Sequence, residues 1–214
     1  MIVEVMVKPT SSNRGTEPTD EGAALMLAWQ GGDESSFDRL VDAYSGRVYS
    51  LLTRFLGQSP RREDLVQEVF IRVLRARERY QPTARFSTWL YRIVFNIATN
   101  ERARSASRRH LSLDQRGPQG DEAHNLGDRI IDERALDPAS FLENQDVIGA
   151  VRAAIADLPE QQRMALILAK YDELPYSEIA EILDSSEKAI KSMVHRARTN
   201  LRVVLEPFLR SQVE

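Results

Sequence analysis

The sequence predicts an all-α protein made of two small helical domains joined by a flexible acidic linker. Apolar residues recur at helical steps of three and four along most of the chain, and no segment alternates as a half-buried strand does. A stretch rich in Gly, Pro and acids separates two such regions. The second region contains two short helical patterns around a tight polar break, which is typical of a helix-turn-helix.

The N-terminal domain is assigned to residues 21–109. Residues 1–20 are polar and lack periodicity, so they are predicted to be a flexible tail. A short helix is predicted from Glu21 to Gln30. Asp33 can cap the next helix and Gly57 can end it, with an apolar stripe at Phe37, Leu40, Val41, Tyr44, Val48, Leu51, Leu52 and Phe55.

Two further helices complete this domain. Ser59-Pro60 places a capping residue before a proline at the first helical position, which is a start signal. The helix that follows ends before Tyr80-Gln81-Pro82, with apolar positions at Leu65, Val69, Phe70, Val73 and Leu74. After a loop, a strong helix is predicted from about Phe86 to Arg104, with its apolar face at Phe86, Trp89, Leu90, Ile93, Val94 and Ile97.

The linker is assigned to residues 110–136, where Gly117-Pro118, Gly120 and Gly127 stand among scattered acids. Asp137-Pro138 restarts helix and begins a C-terminal domain at 137–206, followed by a tail at 207–214. Its first stripe is Val147, Val151, Ile155 and Leu158. Later helices are predicted from about Pro159 to Tyr171, Tyr176 to Leu183 and Glu187 to Leu205.

Charge is unevenly distributed, although the net charge is only −3. Residues 85–109 hold six arginines and one acid, a local charge of +5, and residues 187–202 hold five bases and one acid, a local +4. Between them, residues 114–146 hold nine acids and three arginines, a local −6. This order suits a protein that touches DNA at two places and whose non-specific affinity for DNA is held down.

The predicted helix-turn-helix covers residues 176–201. Ala180 allows close crossing of two helices, and Asp184-Ser185-Ser186 forms the break between them. The second helix has a polar and cationic outward face that suits a major groove, formed by Glu187, Lys188, Lys191, Ser192, His195 and Arg196. An ordinary amphipathic hairpin with a solvated basic face remains the alternative on spacing alone.

The helix at 86–104 has a second polar face, with Arg92, Asn96, Thr99, Asn100 and Arg102 beside Tyr91. Asn side chains can read base edges, and Arg can hold phosphate. Aromatic residues in or near the preceding loop could stack on an unpaired base, namely Tyr80, Phe86 and Trp89. The alternative is that Phe86 and Trp89 are core residues, which is favoured for Trp89 because it lies on the apolar stripe.

Residues 64–77, DLVQEVFIRVLRAR, carry Asp64, Gln67, Glu68, Arg72 and Arg75 at helical spacing. This face is either a salt-bridged solvent surface or a surface that docks on another protein.

Several classes of function are disfavoured. The chain has no cysteine, so disulfides, thiolate zinc sites and a cysteine nucleophile are excluded, and a reducing cytoplasm is expected. Its three histidines stand in separate contexts, so no metal site is expected. Neither a phosphate-binding glycine loop nor a nucleophile constellation is present, which argues against an enzyme or a cofactor. No signal peptide or stretch of roughly 18 apolar residues is visible.

Three stretches resemble the extracytoplasmic-function (ECF, group 4) sigma factors of the sigma-70 family. They are DLVQEVFIRVLR (64–75), FSTWLYRIVFNIATNERAR (86–104) and LPEQQRMALILAKYDELPYSEIAEIL (158–183) running into KAIKSMVHRAR (188–198). The resemblance covers about residues 35–109 as sigma domain 2 and 137–206 as sigma domain 4. It implies a factor that binds core RNA polymerase and directs initiation at promoters by reading the −35 and −10 elements and assisting strand opening.

The resemblance also implies roles for particular residues. The polymerase contacts would be Asp64, Gln67, Glu68 and Arg72. The loop at 80–86 and the helix after it would capture and read the opened −10 strand, through Tyr80, Arg85, Phe86, Arg92, Asn96, Asn100 and Arg102. The −35 element would be read by Ser186, Glu187, Lys188, Lys191, Ser192, His195 and Arg196. The acidic linker would thread into polymerase channels.

Departures from the family pattern leave the −35 sequence open. Met193 stands where many relatives have Arg, and Glu187 and Lys188 stand where small or apolar residues are frequent. The family implies a cognate anti-sigma factor, and we expect a monomer when the chain is free. A repressor or activator that uses only the C-terminal helix pair is the main alternative, and a pure interaction protein is another.

Overall fold

Helices form all the regular structure in the computed structural model, which describes residues 20–57, 59–115 and 149–210. Within those ranges the all-α fold class is confirmed. None of the helices there is both long and apolar enough to cross a membrane. The linker residues 116–136, the restart at Asp137-Pro138, Val147, residues 1–19 of the N-terminal tail and residues 211–214 of the C-terminal tail lie outside the described residues.

The N-terminal half contains α1 (Glu21–Gln30), α2 (Ser35–Leu56), α3 (Arg62–Ala76), a 3₁₀ turn (Arg77–Arg79) and α4 (Phe86–Gln115). The described C-terminal half contains α5 (149–157), α6 (Glu160–Tyr171), α7 (Tyr176–Ile182) and α8 (Glu187–Arg210). Both halves therefore contain the helices that the apolar periodicity predicts.

Helix α2 ends at Gly57 as predicted, whereas at its start Asp33 lies one residue before the N-cap, Glu34, and bonds to the first turn from there. The Asp33 carboxylate accepts hydrogen bonds from the backbone N–H of Ser35 at 3.2 Å and from the hydroxyl of Ser36 at 2.7 Å. At the other end, Gly57 adopts φ 70°, a left-handed conformation that glycine reaches without a Cβ penalty. These two residues fix the length of α2.

Asp20 joins the starts of two helices. One carboxylate oxygen accepts from the Ala23 N–H at 3.1 Å and caps α1, and the other accepts from the Phe86 N–H at 2.7 Å, where α4 begins. Gly22 lies against the same place, since a Cβ there would be 2.5 Å from a ring carbon of Phe86 and from the hydroxyl of Tyr44. The N-terminal helix is therefore fixed to the beginning of α4.

The apolar stripes of both halves meet in one continuous core. On the N-terminal side it contains Leu40, Leu51, Phe55, Leu65, Val69, Leu90 and Val94, and on the C-terminal side Met164, Ile167, Leu168, Ile179, Ile190 and Val194. Helix α6 packs on α2, and α7 packs on α4. The two halves thus touch one another directly in addition to being joined by the chain.

Helix α4 is longer than predicted. It continues past Arg104 to Gln115, into the segment assigned to the linker. No Gly or Pro interrupts residues 105–115, and Arg108 and Ser105 hydrogen-bond to Glu101 at 2.7 and 3.2 Å. Side-chain bonds within the helix therefore support a polar stretch that has no apolar stripe to mark it.

Three smaller differences concern α3 and α8. Helix α3 begins at Arg62, two residues after the proline expected at its first position. Leu74, which the periodicity placed on the apolar stripe, is 51% exposed. Helix α8 extends to Arg210, beyond the predicted end at Leu205.

Replacing Asp20 should test the connection between α1 and α4. We expect Asp20→Ala to lower the free energy of unfolding by about 1–3 kcal/mol, because two backbone donors lose their acceptor. Asp20→Asn keeps one side-chain acceptor and should lose less. Urea unfolding of both variants measures this, with Asp42→Ala as a control because Asp42 is exposed on α2. Equal stability of Asp20→Ala and Asp42→Ala would contradict the assignment.

Candidate nucleic-acid interface

The turn between α7 and α8 sets the direction of the last helix. Asp184 adopts a left-handed conformation with φ 49°, and the Ser185 N–H donates to the carbonyl of Ala180 at 2.9 Å. The hydroxyl of Ser186 then accepts from the Ala189 N–H at 3.2 Å, which caps α8. Ala180 is buried, as close crossing of the two helices requires. This is the predicted helix-turn-helix.

Helix α8 has one buried and one exposed face. Ile190, Val194 and Ala197 are at most 1% exposed, while Met193 is half-buried against the core. The residues predicted to read the −35 element are all exposed, namely Ser186, Glu187, Lys188, Lys191, Ser192, His195 and Arg196. This face offers donors, acceptors and positive charge on an exposed helix surface, which is what readout of a major groove requires.

On α4, three of the residues predicted to read the −10 element form an exposed stripe. Arg92, Asn96 and Asn100 are spaced four residues apart and all face solvent. Their side chains can offer a cation and two amides to a nucleic-acid strand. Thr99, beside them, donates its hydroxyl to the Phe95 carbonyl at 3.0 Å, so that group is already used within the helix.

Two other predicted −10 residues are paired with acids of the C-terminal half. The Arg85 guanidinium lies 3.4 Å from a carboxylate oxygen of Glu178, and Arg102 Nε lies 3.4 Å from one of Glu160. Arg85 is 61% exposed in its side chain and Arg102 is 32% exposed. The structure therefore separates these two cations from the exposed stripe.

The aromatic residues of the loop require a correction. Phe86 is completely buried and Tyr80 is 5% exposed, so in this structure neither ring can stack on a base as predicted. Both rings contact Trp89, with centroids 5.6 and 5.0 Å away. Trp89 is half-buried and is the member of this group with accessible surface. Apolar contact with α1 and α2 explains why the loop turns its aromatics inward.

Burial also affects the chemistry of Tyr80. Its hydroxyl has no hydrogen-bond partner among the described residues, and burial, followed by the negative charge of Asp20, raises its pKa to about 12. The phenol therefore stays neutral at physiological pH, and its role in the described structure is to fill the core.

Contacts from α1 hold the loop before α4, and the sequence did not reveal them. The Gln30 side-chain amide donates to the carbonyls of Arg77 and Tyr80, the latter at 3.0 Å. Arg77 lies over the Trp29 ring at 4.7 Å and pairs with Glu34 at 2.8 Å. Each of these contacts joins two residues that lie more than 40 positions apart in the sequence, so no local pattern could have indicated them.

The exposed face of α3 combines polar and apolar groups. Asp64 and Gln67 are exposed, and Glu68 pairs with Arg72 at 2.7 Å in an i,i+4 ion pair. Ile71 and Leu74 lie on the same side and are 47% and 51% exposed. Large apolar side chains are costly to leave in water, so their presence favours a surface that docks on a protein over a purely solvated one.

A partly buried hydroxyl–carboxylate contact lies between the halves. The Tyr91 hydroxyl donates to Asp172 at 3.3 Å, and the other carboxylate oxygen of Asp172 is buried without a hydrogen-bond partner. Burial raises the pKa of Asp172 above its ordinary value, although the charge of Arg54 and the bond from Tyr91 oppose this. Burial, and then the charge of Asp172, raise the pKa of Tyr91.

Within the described residues, no group of three or more acids and histidines is arranged to hold a metal ion.

Comparison with known proteins identifies both halves. Residues 40–109 match the family model for Sigma-70 region 2, and residues 148–201 match Sigma-70, region 4. The RNA polymerase sigma-H factor of Pseudomonas aeruginosa is 31% identical over 196 residues, covering 89% of this chain and 97% of that protein. The ECF RNA polymerase sigma-E factor of Escherichia coli is 33% identical over 187 residues, covering 85% and 92%.

A solved structure shares the fold. The sigma factor RpoE, determined in complex with the anti-sigma factor NepR from Bartonella quintana, matches with a TM-score of 0.58 and 20% identity, covering 79% of this chain and 96% of that one.

Asp172 gives a prediction about pH. A carboxyl whose pKa is raised by folding favours the folded state when protonated, so its cost appears as pH rises through the raised pKa. We therefore expect Asp172→Asn to gain stability relative to the wild type as pH rises from the ordinary carboxyl value of 3.8 to neutral. Urea unfolding at the two ends of this range measures the difference, with the exposed Asp42→Asn as control. Parallel pH profiles of wild type and Asp172→Asn would contradict the prediction.

Proposed function

The chain belongs to the ECF sigma factors of the sigma-70 family and so acts in promoter-specific transcription initiation; we propose here which of its surfaces perform each step. We propose that it binds core RNA polymerase through α3, reads the −35 element through α8 and reads the opened −10 strand through α4. The observation that carries the proposal is the exposed polar and cationic face of α8 on its helix-turn-helix.

Helix α8 is proposed to enter the major groove of the −35 element. Lys191 and Arg196 can hold phosphate or guanine edges, while Ser192 and His195 can bond to either groove edges or backbone. Glu187, at the start of the helix, could accept a hydrogen bond from a cytosine amino group. Met193 has an uncharged side chain that is half-buried against the core, so it contributes packing where many relatives have an arginine.

Helix α4 is proposed to hold the opened −10 strand with Arg92, Asn96 and Asn100. Capturing a base from the opened strand offsets the cost of unstacking it, a few kcal/mol per base. Since Tyr80 and Phe86 are buried, Trp89 is the aromatic of the loop region that has surface available for stacking. Arg85 and Arg102 can add phosphate contacts once they are released from their acidic partners.

The α3 face is proposed to dock on core polymerase, with Asp64, Gln67, Glu68 and Arg72 around the apolar pair Ile71 and Leu74. An apolar centre with a polar rim is the usual anatomy of a protein interface. Since polymerase supplies further positive surface, the factor itself can keep a net charge of −3.

We further propose regulation by a cognate anti-sigma factor, a monomeric state when free and a cytoplasmic location, where core polymerase is found. The Bartonella quintana factor was solved with an anti-sigma factor bound, and family membership supports the same class of partner here. A repressor that uses only the helix-turn-helix would leave the exposed faces of α3 and α4 without a role.

Charge reversal on α8 tests promoter reading. Lys191→Glu with Arg196→Glu should reduce run-off transcription from a cognate promoter by about tenfold or more, because phosphate and base contacts become repulsive. Start sites mapped after overexpression supply the promoter. The control is Arg152→Glu, since Arg152 is an exposed base on α5. Undiminished transcription by the double variant, or equal transcription with and without the wild-type protein, would exclude the proposal.

An acid introduced into the α3 face tests polymerase docking. We expect Ile71→Asp to weaken binding to core polymerase by about tenfold, because a charge would be desolvated in the centre of the interface. Fluorescence anisotropy of the labelled full chain titrated with core enzyme measures the affinity. Leu27→Asp is a matched control, since Leu27 is 44% exposed and Ile71 is 47% exposed, but on different helices. An equal loss in both variants would argue against a specific face.

A further inference from the structure

The C-terminal half places three acidic side chains against α4 and the residue that precedes it. Glu178 meets Arg85 at 3.4 Å, Asp172 accepts from Tyr91 at 3.3 Å and Glu160 meets Arg102 at 3.4 Å. At 1.5 Å per residue, positions 86 to 102 span about 24 Å of helix. A row of negative groups therefore lies beside α4 over the length in which the −10 contacts are predicted.

A buried cation holds the two halves in this arrangement. Arg163 of α6 is 1% exposed and donates to the carbonyl of Phe55 at 3.0 Å, and also to the carbonyls of Ala156 and Leu158. Phe55 lies in the last turn of α2, where carbonyls lack helical partners and carry the negative end of the helix dipole. The Arg163 guanidinium also lies 5.5 Å from the centre of the Phe55 ring.

A second contact lies beside the first. The Arg54 guanidinium is 4.6 Å from the centre of the Tyr171 ring, and it joins the end of α2 to the end of α6. The halves are thus joined at α2 by the buried Arg163 contact and the exposed Arg54–Tyr171 contact, and by ion pairs along α4.

The ion pairs are of a kind that another anion can replace. Glu178 is 17% exposed in its side chain, whereas its partner Arg85 is 61% exposed, so solvent and ligands reach the cation. Pairs that are partly exposed are individually weak and are screened by salt. A phosphate is the natural competitor, because it offers the same negative oxygens to a guanidinium.

We propose that, in the free protein, the C-terminal domain closes over α4 and that Glu178 and Glu160 compete with single-stranded nucleic acid for Arg85 and Arg102. The inference rests on the proposed function, because it takes α4 as the helix that binds the opened strand. Arg92, Asn96 and Asn100 stay exposed in the closed arrangement, so closure lowers the affinity of α4 for a strand without abolishing it.

Neutralising the two competing acids tests the proposal. In the full-length chain, Glu160→Gln with Glu178→Gln should bind a fluorescent single-stranded −10 oligonucleotide about three- to tenfold more tightly than the wild type, since two weak pairs no longer compete. Its salt dependence should steepen by about 0.7 for each phosphate gained. The control, Glu173→Gln with Glu181→Gln, removes two exposed acids of the same domain that have no described partner. Equal gains in both double variants would overturn the proposal.

Arg92→Gln separates this inference from the proposed function. Because Arg92 is exposed in the closed arrangement, its loss should weaken strand binding in the wild-type background whether or not the domains close. Suppose that Arg92→Gln weakens binding while the Glu160→Gln, Glu178→Gln variant binds like the wild type. The proposal that the C-terminal domain closes over α4 is then wrong, and the assignment of α4 to strand binding is kept. If Arg92→Gln has no effect on binding, the assignment of α4 to DNA fails, and with it the inference.

A reversible lock gives an independent readout. The chain has no native cysteine, so Arg54→Cys and Tyr171→Cys introduce the only two thiols. A short bismaleimide with a cleavable centre should join them within one chain, and the locked protein should bind the oligonucleotide more weakly than the same protein after cleavage. Failure to cross-link, or unchanged binding on cleavage, would overturn the proposal.

Discussion

Helix α4 faces three surroundings at once: the N-terminal core, the C-terminal domain and solvent. Successive residues of a helix are rotated by about 100°, so neighbouring side chains point toward different ones of these. Leu90 and Val94 face the N-terminal core, and Tyr91 and Arg102 face the C-terminal domain. The exposed stripe that begins at Arg92 faces solvent. A rotation of α4 would disturb all three surfaces together. The carboxylate of Asp20, the residue that caps α1, accepts from the first N–H of α4 and so holds the start of α4 against α1.

Electrostatics in this chain is largely a matter of internal pairing. The region with a local charge of +5 is partly compensated by acids that lie far away in sequence, as the pairs of Arg85 with Glu178 and Arg102 with Glu160 illustrate. Burial alone would raise the pKa of Glu101, yet hydrogen bonds from Arg108 and Ser105, with the charge of Arg61, lower it below its ordinary value. An acidic protein can thus keep basic surfaces ready for nucleic acid without displaying all of their charge.

Apolar periodicity and helix-end signals in the sequence were enough to predict most of the helices. Gly57 and the break at Asp184 ended helices where the sequence indicated, and the face of α8 followed from spacing alone. The extension of α4 was missed because a polar helix has no apolar stripe. The sequence left Phe86 open between the core and a base-stacking role, because an aromatic beside a loop suits either, and the structure places it in the core. Contacts such as Arg163 with Phe55, 108 residues apart, depend on tertiary packing. The domain limits and the DNA roles stay predictions.

Because Glu160 and Arg102 belong to the same polypeptide, their meeting is a unimolecular event. Linked partners experience an effective concentration in about the millimolar range, which dilution of the protein does not change. The shared core and the buried Arg163 contact, acting at that effective concentration, therefore keep α4 partly covered at any expression level. A competing strand must be presented at a comparable local concentration, which a promoter held against the same polymerase provides and free nucleic acid in solution does not.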